Sequence, residues 1–474
     1  MSHRYQRIAE EMKQHILTGR WSAGSKTPSI RACARRYEVS INTAKAALEY
    51  LEQEGLIRAE AKSGFYVCGQ AVNLNEPVVN ITNAISYLPL NDIEHILATI
   101  LRYQHDTDWV NFALASPVSS KMYPLAKLKK ATMNAVSQWH QKTDYALPPG
   151  NESLRNSIAQ RGHLLGMQLN REDIIITHGA TEAISLAIQA CTEYGDTIAV
   201  ESPTFHHLYP TFKRMGRKVI EISTSPTTGL NLHELEHHLQ HKSIQAVITI
   251  PSGHNPIGFI MPEAEREQLV TLANRYRIAI IEDVIYAELQ HQAPYINNIK
   301  AFDREGRVIV CGSFSKTLAP DYRIGWMEAG KFRDQVKQLK FSQSVAESNL
   351  LSTAVSTLLR DGSYDKHLDY LRKLYRRNCD YLRSLISQYF PEGTRISQPK
   401  AGFILWVELP KSISALTLYQ QALQQHILIM PGIVCSPNPH YKNCIRMAAC
   451  CEFDDKFIHA LKTIGELAYE QQVR

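Results

Sequence analysis

Apolar residues near the start of the chain recur at helical spacing. The inward face of a first helix is predicted to consist of Tyr5, Ile8, Ala9, Met12 and Ile16. Gly19 is placed to end this helix, a second helix is predicted to begin at residues 28–29, and a third begins after Ser40, whose hydroxyl group can cap it. Short apolar stretches at 57–60 and 65–67 predict a small hairpin, or wing.

The exposed start of the third helix carries the first candidate chemistry. Its apolar residues face inward, which leaves Asn42, Thr43 and Lys45 near its exposed amino-terminal end. A polar and basic helix start after a tight turn is what helix-turn-helix proteins place in the major groove of DNA. The alternative at this point is a three-helix packing module whose charges are only solvated, since charged outer faces are the norm.

Positive charge is concentrated in the same segment. The chain has 474 residues and a net charge of +6, and residues 1–69 contain eleven Lys and Arg against seven Asp and Glu, which gives +4 of that total. This surplus indicates a polyanionic partner for the segment.

Composition and cysteine usage narrow the class of protein. The nine cysteines include no CxxC pair, so reduced and mostly buried thiols are predicted instead of a disulfide framework or a zinc site. No apolar stretch is long enough to span a bilayer, and the first residues are too polar for a signal peptide. A cytoplasmic protein without a membrane partner is expected.

Beyond residue 108, short apolar runs alternate with helical patterns, which is typical of an open, mostly parallel α/β sheet. The predicted strands are 174–177, 197–200, 246–250, 278–281 and 308–311. Each is followed at once by residues with chemical capability. Because ligands of such sheets collect outside the carboxyl ends of the strands, five separate segments are predicted to meet at one crevice.

Lys316 follows the last of these strands and is surrounded by the hydroxyl residues Ser313, Ser315 and Thr317. A lysine amine can form a Schiff base with a carbonyl compound, and small hydroxylated residues next to it suit a phosphate. Pyridoxal 5′-phosphate (PLP), which is both an aldehyde and a phosphate ester, is the cofactor that this combination favours.

The residues after the other strands can be given roles around PLP. Asp283 can balance a protonated ring nitrogen, and the charged ring accepts electrons from a substrate carbanion. Taken singly, core packing, a helix cap or a turn explains such residues equally well. The candidates are Gly179, Ala180 and Thr181 at a helix start for the phosphate, Phe205 for stacking on the ring, Asn255 and Tyr286 for the ring oxygen, and Ser313, Ser315 and Arg323 for the phosphate.

Residues 3–68 resemble the GntR-type winged helix-turn-helix. The resemblance rests on Tyr5-x-x-Ile8-Ala9, Gly24-x-Lys26-x-Pro28-Ser29-x-Arg31, Val39-Ser40-x-x-Thr43, Glu54-Gly55-Leu56 and Gly64-Phe65-Tyr66-Val67. It implies binding to double-stranded DNA through Arg31, Ser40, Asn42, Thr43 and Lys45, with Ser63 and Gly64 in the wing. Thr27 stands where leucine is usual and Ile41 where arginine is common, so the preferred DNA site is expected to differ from that of relatives.

From about residue 108 the chain resembles fold type I PLP enzymes of the aminotransferase class I/II family. The motifs are residues 145–150, 178–182 and 201–205, Asn255-Pro256-Ile257-Gly258, Asp283-x-x-Tyr286, residues 313–316 with Leu318, Arg323-Ile324-Gly325-Trp326 and Ile445-Arg446. The resemblance implies that Lys316 bonds PLP, with Asp283 and Tyr286 in the catalytic set. It also implies that Arg446 holds a substrate carboxylate and that Tyr145 reaches the phosphate of a neighbouring subunit, in a homodimer.

The family pattern is not complete. Ile257 stands where threonine is usual, although Asn255 is intact. Residues 145–150 also lack the glycine and aspartate that are common after the tyrosine, so the entrance to the site is expected to differ.

The two parts together resemble MocR-type regulators. The resemblance implies a multidomain fold with a winged helix-turn-helix at 1–69, a linker at 70–107 that contains a helix at 91–103, and an α/β fold type I aminotransferase-like domain at 108–474. That domain is expected to join a mostly parallel central sheet to a smaller α+β subdomain from about 345.

Two functions follow from this arrangement. The first is a transcriptional regulator that binds DNA and senses PLP or its adduct with a small amino compound. The second is an active aminotransferase for an amino acid with an α-carboxylate, in which Lys316 moves a proton as general base and acid. A PLP that serves only as a structural ligand is a third alternative.

Two histidine clusters are expected to be less informative. His237, His238 and His241 have helical spacing that could hold a metal, but beside two glutamates they predict a solvated face, and no metal is expected. His206 and His207 are expected to lie next to the cofactor without a catalytic role.

Overall fold

The computed structural model describes residues 4–17, 21, 25–60, 64–68, 90–117, 120–138, 146, 148–241 and 243–473. Ser63 and Tyr145, two of the predicted site residues, lie outside these ranges. Within them, no helix is both long and apolar enough to cross a bilayer.

The described residues up to 68 form a small unit, which we call the N-terminal module. Its elements are α1 (Arg4–Leu17), α2 (Ile30–Arg36), α3 (Ile41–Gln53), β1 (Ile57–Glu60) and β2 (Gly64–Val67), as the apolar pattern predicts. α1 and α2 pack on α3 around a core that includes Ala9, Met12, Ala44 and Leu48, all fully buried. The Ser40 hydroxyl accepts a hydrogen bond from the Thr43 N–H at 3.1 Å, which confirms the predicted cap of α3.

The rest of the described chain forms a second unit, which we call the body. It begins with α4 (Leu90–Arg102), β3 (Val110–Asn111), α5 (Leu125–Ser137) and α6 (Glu152–Gly162). Ile93, Ile96 and Ile100 on one side of α4 are buried in the main core of the body. The predicted helix at 91–103 is therefore confirmed.

An eight-stranded sheet forms the centre of the body. Its strands and the helices between them are β4 (Ile174–Thr177), α7 (Gly179–Cys191), β5 (Thr197–Ser202), α8 (Leu208–Arg214), β6 (Lys218–Ser225), β7 (Gly229–Leu230), α9 (Leu232–His241), β8 (Ile244–Thr249), α10 (Glu263–Tyr276), β9 (Ala279–Asp283), β10 (Val308–Ser313) and β11 (Gly325–Glu328). The spatial order is β4-β11-β10-β9-β8-β5-β6-β7. The five adjacent strands β10, β9, β8, β5 and β6 are parallel to one another. β11 is antiparallel to both β10 and β4, and β7 is antiparallel to β6.

This topology confirms the predicted α/β class. The five predicted strands are all present, and the structure adds β6, β7 and β11, which the apolar runs did not indicate. Apolar residues on the two sides of the sheet belong to two separate core clusters. The central strands are therefore buried on both faces, as parallel strands between helices usually are.

A smaller α+β part completes the body, as predicted. Its elements and those leading to it are α11 (Arg333–Gln343), α12 (Asn349–Arg360), α13 (Ser363–Tyr389), β12 (Arg395–Ile396), β13 (Ile404–Glu408), α14 (Ala415–Gln424), β14 (Ile427–Leu428), β15 (Met430–Pro431), β16 (Cys444–Ala448) and α15 (Asp455–Val473). The antiparallel sheet has the order β12-β13-β16-β15. β14 pairs with β3, so the start of the body joins this part.

Candidate functional site

A cavity of about 180 Å³ lies where the carboxyl ends of the parallel strands meet the small sheet. Its walls include Phe205 after β5, Asn255 after β8, Asp283 at the end of β9, Lys316 after β10 and Arg446 on β16. The structure therefore brings together residues that the sequence predicted to meet at one crevice.

Lys316 projects into this cavity, where its amino group donates a hydrogen bond to the Ala115 carbonyl oxygen. Removal from water lowers the pKa of Lys316 from 10.5 to about 8, and Arg446 and Arg323 act in the same direction. Because only the neutral amine is a nucleophile, this shift makes Lys316 far more reactive near neutral pH than an exposed lysine.

Asp283 is buried at the end of β9, where one carboxylate oxygen accepts a hydrogen bond from the Ile285 N–H at 3.0 Å. Burial raises the pKa of Asp283 from 3.8 to about 7. A cation placed against the carboxylate would reverse this shift, because it stabilises the charged form. The site is thus suited to a protonated ring nitrogen.

Ser313, Ser315 and Arg323 converge beside the start of α7. The Ser313 hydroxyl donates to the Ser315 hydroxyl at 2.9 Å, and Arg323 donates to the Ser315 hydroxyl at 3.2 Å and to the His178 carbonyl at 3.3 Å. A Cβ atom at Gly179 would lie 2.7 Å from the Arg323 guanidinium, so only glycine lets the helix start approach so closely. Two hydroxyls, a guanidinium and a helix start form an anion cradle.

The first turn of α7 contributes its backbone to this cradle. Ala180 is buried and Thr181 is exposed, and both follow Gly179 directly. The His178 side chain makes no capping hydrogen bond with any described residue, and the backbone N–H from which Glu182 accepts, at 2.6 Å, is that of His178, which precedes the helix. Its N–H groups are therefore available to a phosphate.

Phe205, Tyr286 and Asn255 also line the cavity. The Phe205 ring stacks on His207 with centroids 5.0 Å apart, and the Thr204 N–H donates to the Cys435 carbonyl at 2.8 Å, which ties this segment to the small sheet. Burial raises the pKa of Tyr286, so its phenol stays protonated and can donate a hydrogen bond.

Arg446 lies on β16, and its side chain is fully buried. It donates to the Asn255 side-chain oxygen at 3.3 Å and to the Ala113 carbonyl oxygen. Its Nε–H has no partner among the described residues, and none of the described carboxylates forms an ion pair with it. A buried guanidinium with unused donors is suited to a ligand carboxylate.

Sequence reasoning missed one wall of the cavity. Leu97, Ile100 and Leu101 of α4 line it opposite the strand ends. His206 and His207, which the sequence predicted to lie beside the cofactor, also line it, and the buried Nδ1 of His206 has no partner among the described residues. Burial holds the pKa of His206 well below 6.5, so this ring is neutral. The helix itself was predicted, but its apolar spacing does not show which neighbour it contacts.

The predicted DNA-contacting residues of the N-terminal module lie at one end of α3 and in α2. Arg31, Ser40, Asn42 and Lys45 are exposed and Thr43 is half-buried, so this end of α3 is uncovered. Among the described ion pairs, Lys45 has one partner, Glu49 on its own helix, at 3.5 Å.

Gly64 begins the second strand of the wing hairpin with φ of +117°. A Cβ atom at this position would lie 3.2 Å from the Lys26 side chain. The glycine therefore lets a basic side chain reach the wing. The neighbouring candidate Ser63 lies outside the described residues.

The histidines of α9 form no metal-binding group with acidic side chains in the described part of the chain. Such a group occurs instead at His178, Glu182 and Glu347. The Lys340 ammonium donates to both glutamates and offsets part of their negative charge. The cluster ties the start of α7 to the end of α11.

Three observations show that the residues of this site fit PLP. The cradle at Arg323, which does not line the cavity but lies beside Lys316, suits a phosphate, the buried Asp283 carboxylate suits a ring cation, and Lys316 is a buried amine with a lowered pKa. Each group has the charge or reactivity that the corresponding part of PLP requires.

Comparisons with known proteins agree with both units. Residues 107–464 match the family aminotransferase class I and II, and residues 4–67 match the gntR family of bacterial regulatory proteins. The chain is also similar in structure to the kynurenine aminotransferase of Pyrococcus horikoshii solved in complex with PMP. The two share 27% sequence identity and a TM-score of 0.73, over 81% of this chain and 95% of that one.

Two relatives from Escherichia coli (strain K12) align with both units at once. The uncharacterized HTH-type transcriptional regulator YjiR is 33% identical over 471 residues, which is 98% of this chain and 99% of that protein. The uncharacterized HTH-type transcriptional regulator YdcR is 32% identical over 475 residues, which is 99% of each. The chain thus belongs to the HTH-type transcriptional regulators in which a GntR-family DNA-binding domain precedes an aminotransferase class I and II domain, as its MocR-like sequence pattern predicts.

Proposed function

We propose that this regulator binds double-stranded DNA through its N-terminal module and senses PLP, or an adduct of PLP with a small amino compound, in the cavity of its body. One observation carries the proposal. The same chain combines an uncovered basic start of α3 with a cavity in which Lys316, Asp283 and Arg446 line one space. The domains proposed for these tasks are residues 1–69 and 108–474, with 70–107 as the linker.

The charges of the cavity support PLP as the cofactor. Lys316 would supply the amine for the PLP aldehyde, Asp283 would balance the charge of the ring nitrogen, and the start of α7 with Ser313, Ser315 and Arg323 would hold the phosphate. When bound, PLP supplies an electron-accepting ring. The similar Pyrococcus horikoshii aminotransferase was solved with PMP bound, which supports a B6 vitamer in this fold.

Arg446 supports an amino compound with a carboxylate as the second ligand. Its guanidinium is buried, has an unpartnered Nε–H and lies next to Asn255. The carboxylate of a ligand would pair with the Arg446 guanidinium. Since Lys316 lines the same cavity, the amino end of that ligand could reach the cofactor.

We further propose a homodimer. Leu125, Met133 and Val136 lie on one side of α5 and are 53%, 60% and 42% exposed. An apolar stripe of this kind is suited to contact with a second copy. The role proposed for Tyr145, contact with the phosphate bound by the partner subunit, rests on the family resemblance alone. Two N-terminal modules held in a dimer would contact two half-sites at a fixed spacing.

Transamination is the second candidate, and one observation favours it. Lys316 and the carboxylate-binding Arg446 line the same cavity, so a ligand carbon next to its carboxylate would lie within reach of the lysine. The relatives that span the whole chain are named as regulators, which makes a sensing role the better-supported one.

The first prediction concerns the pH dependence of PLP capture. Lys316 reacts only as the free amine, so the rate of PLP bonding should rise with pH and level off above its pKa of about 8. Stopped-flow absorbance of the lysine-bound form measures this rate. Lys316→Ala should show no such band at any pH. A rate that still rises steeply towards 10.5 would show an unperturbed lysine.

The second prediction concerns the N-terminal module. Lys45→Ala should weaken operator binding by roughly 1 kcal/mol and reduce the salt slope by about 1, because one phosphate contact is lost. Lys462→Ala is the matched control, since Lys462 is 55% exposed with an i,i+4 glutamate and Lys45 is 56% exposed with one. Equal salt slopes for the two variants would place α3 away from DNA.

The third prediction tests sensing directly. Operator affinity, measured by fluorescence anisotropy, should change when PLP is added and change again with a carboxylate-bearing amine. Arg446→Lys should keep the first response and lose most of the second, because lysine lacks the bidentate fork. Identical affinities under all conditions would contradict the sensing role. Repeated turnovers with an amino acid and a keto acid would establish transamination instead.

A further inference from the structure

One continuous helix touches both the cavity and the N-terminal module. α13 has 27 residues, so it is about 40 Å long, and it contains neither proline nor glycine. A helix without a break transmits a displacement along its length better than a loop does. A shift at one end of α13 is therefore expected to reach the other end.

The first half of α13 contacts the cofactor cavity through residues next to Lys316. The Tyr364 hydroxyl is 2.8 Å from the Thr317 hydroxyl and 2.8 Å from the Glu288 carboxylate. Thr317 is the direct neighbour of Lys316 in the chain. Further along the same helix, Arg372 donates to the Glu288 carbonyl at 2.9 Å.

An aromatic chain makes a second connection. The Tyr375 ring lies 4.7 Å from Phe403, and Phe403 lies 5.4 Å from Tyr286 in an edge-to-face contact. Tyr286 is one of the residues that line the cavity. Packed interiors transmit displacement. A shift of Lys316 or Tyr286 on ligand binding would therefore displace α13 through its contacts at Tyr364 and Tyr375.

The second half of α13 contacts the N-terminal module. Arg58 at the start of the wing donates to the Tyr381 hydroxyl at 3.1 Å and lies over the Tyr381 ring. Arg376 pairs with Glu54 at 3.8 Å. Gly55 packs against Asp380, and a Cβ atom on Gly55 would lie 3.3 Å from the Asp380 Cβ.

These contacts leave the DNA-facing end of the module free. Glu54 and Gly55 follow the carboxyl end of α3, whereas Ser40, Asn42 and Lys45 lie at its amino end and are exposed. Docking therefore fixes the direction in which α3 points without covering it. In a dimer, that direction determines which half-site spacing the two modules fit.

We propose that Arg376, Asp380 and Tyr381 form a docking surface for the N-terminal module, and that α13 couples this surface to the ligand state of the cavity. The inference rests on the proposed sensing function and names the element that performs it. A ligand that shifts the first half of α13 changes how well the module docks. By linkage, DNA binding changes the affinity for the ligand by the same factor.

Two variants test the coupling at the docking surface. Tyr381→Phe removes the hydroxyl acceptor and keeps the ring, and Arg58→Ala removes the donor. Tyr370→Phe is the control, because Tyr370 lies on the same helix and stacks on His367. The quantity measured is the ratio of operator dissociation constants without and with saturating PLP.

We expect both docking variants to move this ratio several-fold towards one, while their PLP titration curves in the absence of DNA keep the wild-type absorbance band. Tyr370→Phe should keep the wild-type ratio. The double variant should add little to either single change, because both residues belong to one contact. If PLP changes operator affinity in the wild type, the same change in both docking variants would overturn the proposal.

A second readout separates this proposal from the sensing function itself. Hydrogen exchange of the β1 amides reports docking without DNA, and PLP should change it in the wild type but not in Tyr381→Phe. If β1 exchange is independent of PLP in the wild type, α13 does not couple the two units, whatever PLP does to operator affinity. If exchange responds and operator affinity does not, the coupling stands and the sensing function fails.

A second inference rests on a different observation, the exposed apolar residue at the start of α3. Ile41 is 55% exposed and is the large hydrophobic residue that the described part of the N-terminal module leaves uncovered. Asn42 and Lys45 are exposed beside it. In the major groove, the one apolar group on a base edge is the thymine methyl.

We infer that Ile41 contacts a thymine methyl in each half-site, which rests on DNA binding by the module. Each operator thymine is replaced in turn by deoxyuridine, which lacks only the methyl. At one position per half-site, the wild type should bind the deoxyuridine operator several-fold more weakly than the thymine operator. Ile41→Ala should bind these two operators equally. Because Ile41 is exposed, the variant keeps the module core. The inference fails if every deoxyuridine effect persists in Ile41→Ala.

Discussion

The shared direction of the parallel strands is the constraint on which the rest of the body depends. Parallel strands end at the same edge of a sheet, so residues far apart in the chain meet there. Phe205, Asn255, Asp283 and Lys316 follow four different strands and line one cavity. The small sheet closes this edge and adds Arg446. Chemistry that no single segment could provide thus results from the shared strand direction, completed by the small sheet.

Inside the cavity, burial prepares separate charges for separate parts of a ligand. Lys316 and Asp283 have pKa values of about 8 and about 7, so both lie close to neutrality and both change charge readily when a complementary group arrives. Arg446 is buried in the same cavity, whereas Arg323 is exposed beside it, in the cradle at the start of α7. A molecule with a protonatable ring and a carboxylate would relieve the cost of burying Lys316, Asp283 and Arg446 together, and its phosphate would bind at Arg323.

The sequence predicted the parts of this arrangement that have a local signal. Strands buried on both faces are continuous apolar runs, and helix starts carry their caps, so β4, β5, β8 to β10 and α3 were found. β6 was missed because Lys218–Ser225 is only partly buried and mixes polar and apolar residues. β11 was missed because Glu328 interrupts its short apolar pattern, and the sequence does not show that this buried carboxylate pairs with Lys300 at 2.6 Å. The wall formed by α4 and the pair Arg58–Tyr381 depend on tertiary contacts between distant segments, for which no local pattern exists.

The strength of the contact between the two units suits a regulator. The N-terminal module has its own core cluster, separate from those of the body, so its fold does not depend on docking. The contacts that hold it to α13 include one hydrogen bond, one ion pair at 3.8 Å, the packing of Arg58 over the Tyr381 ring and the approach of Gly55. Such contacts contribute about 1 kcal/mol each at a partly exposed surface. A ligand with a several-fold preference for one arrangement can therefore shift the population, whereas a large apolar interface would hold the module in one position whatever the cavity contains.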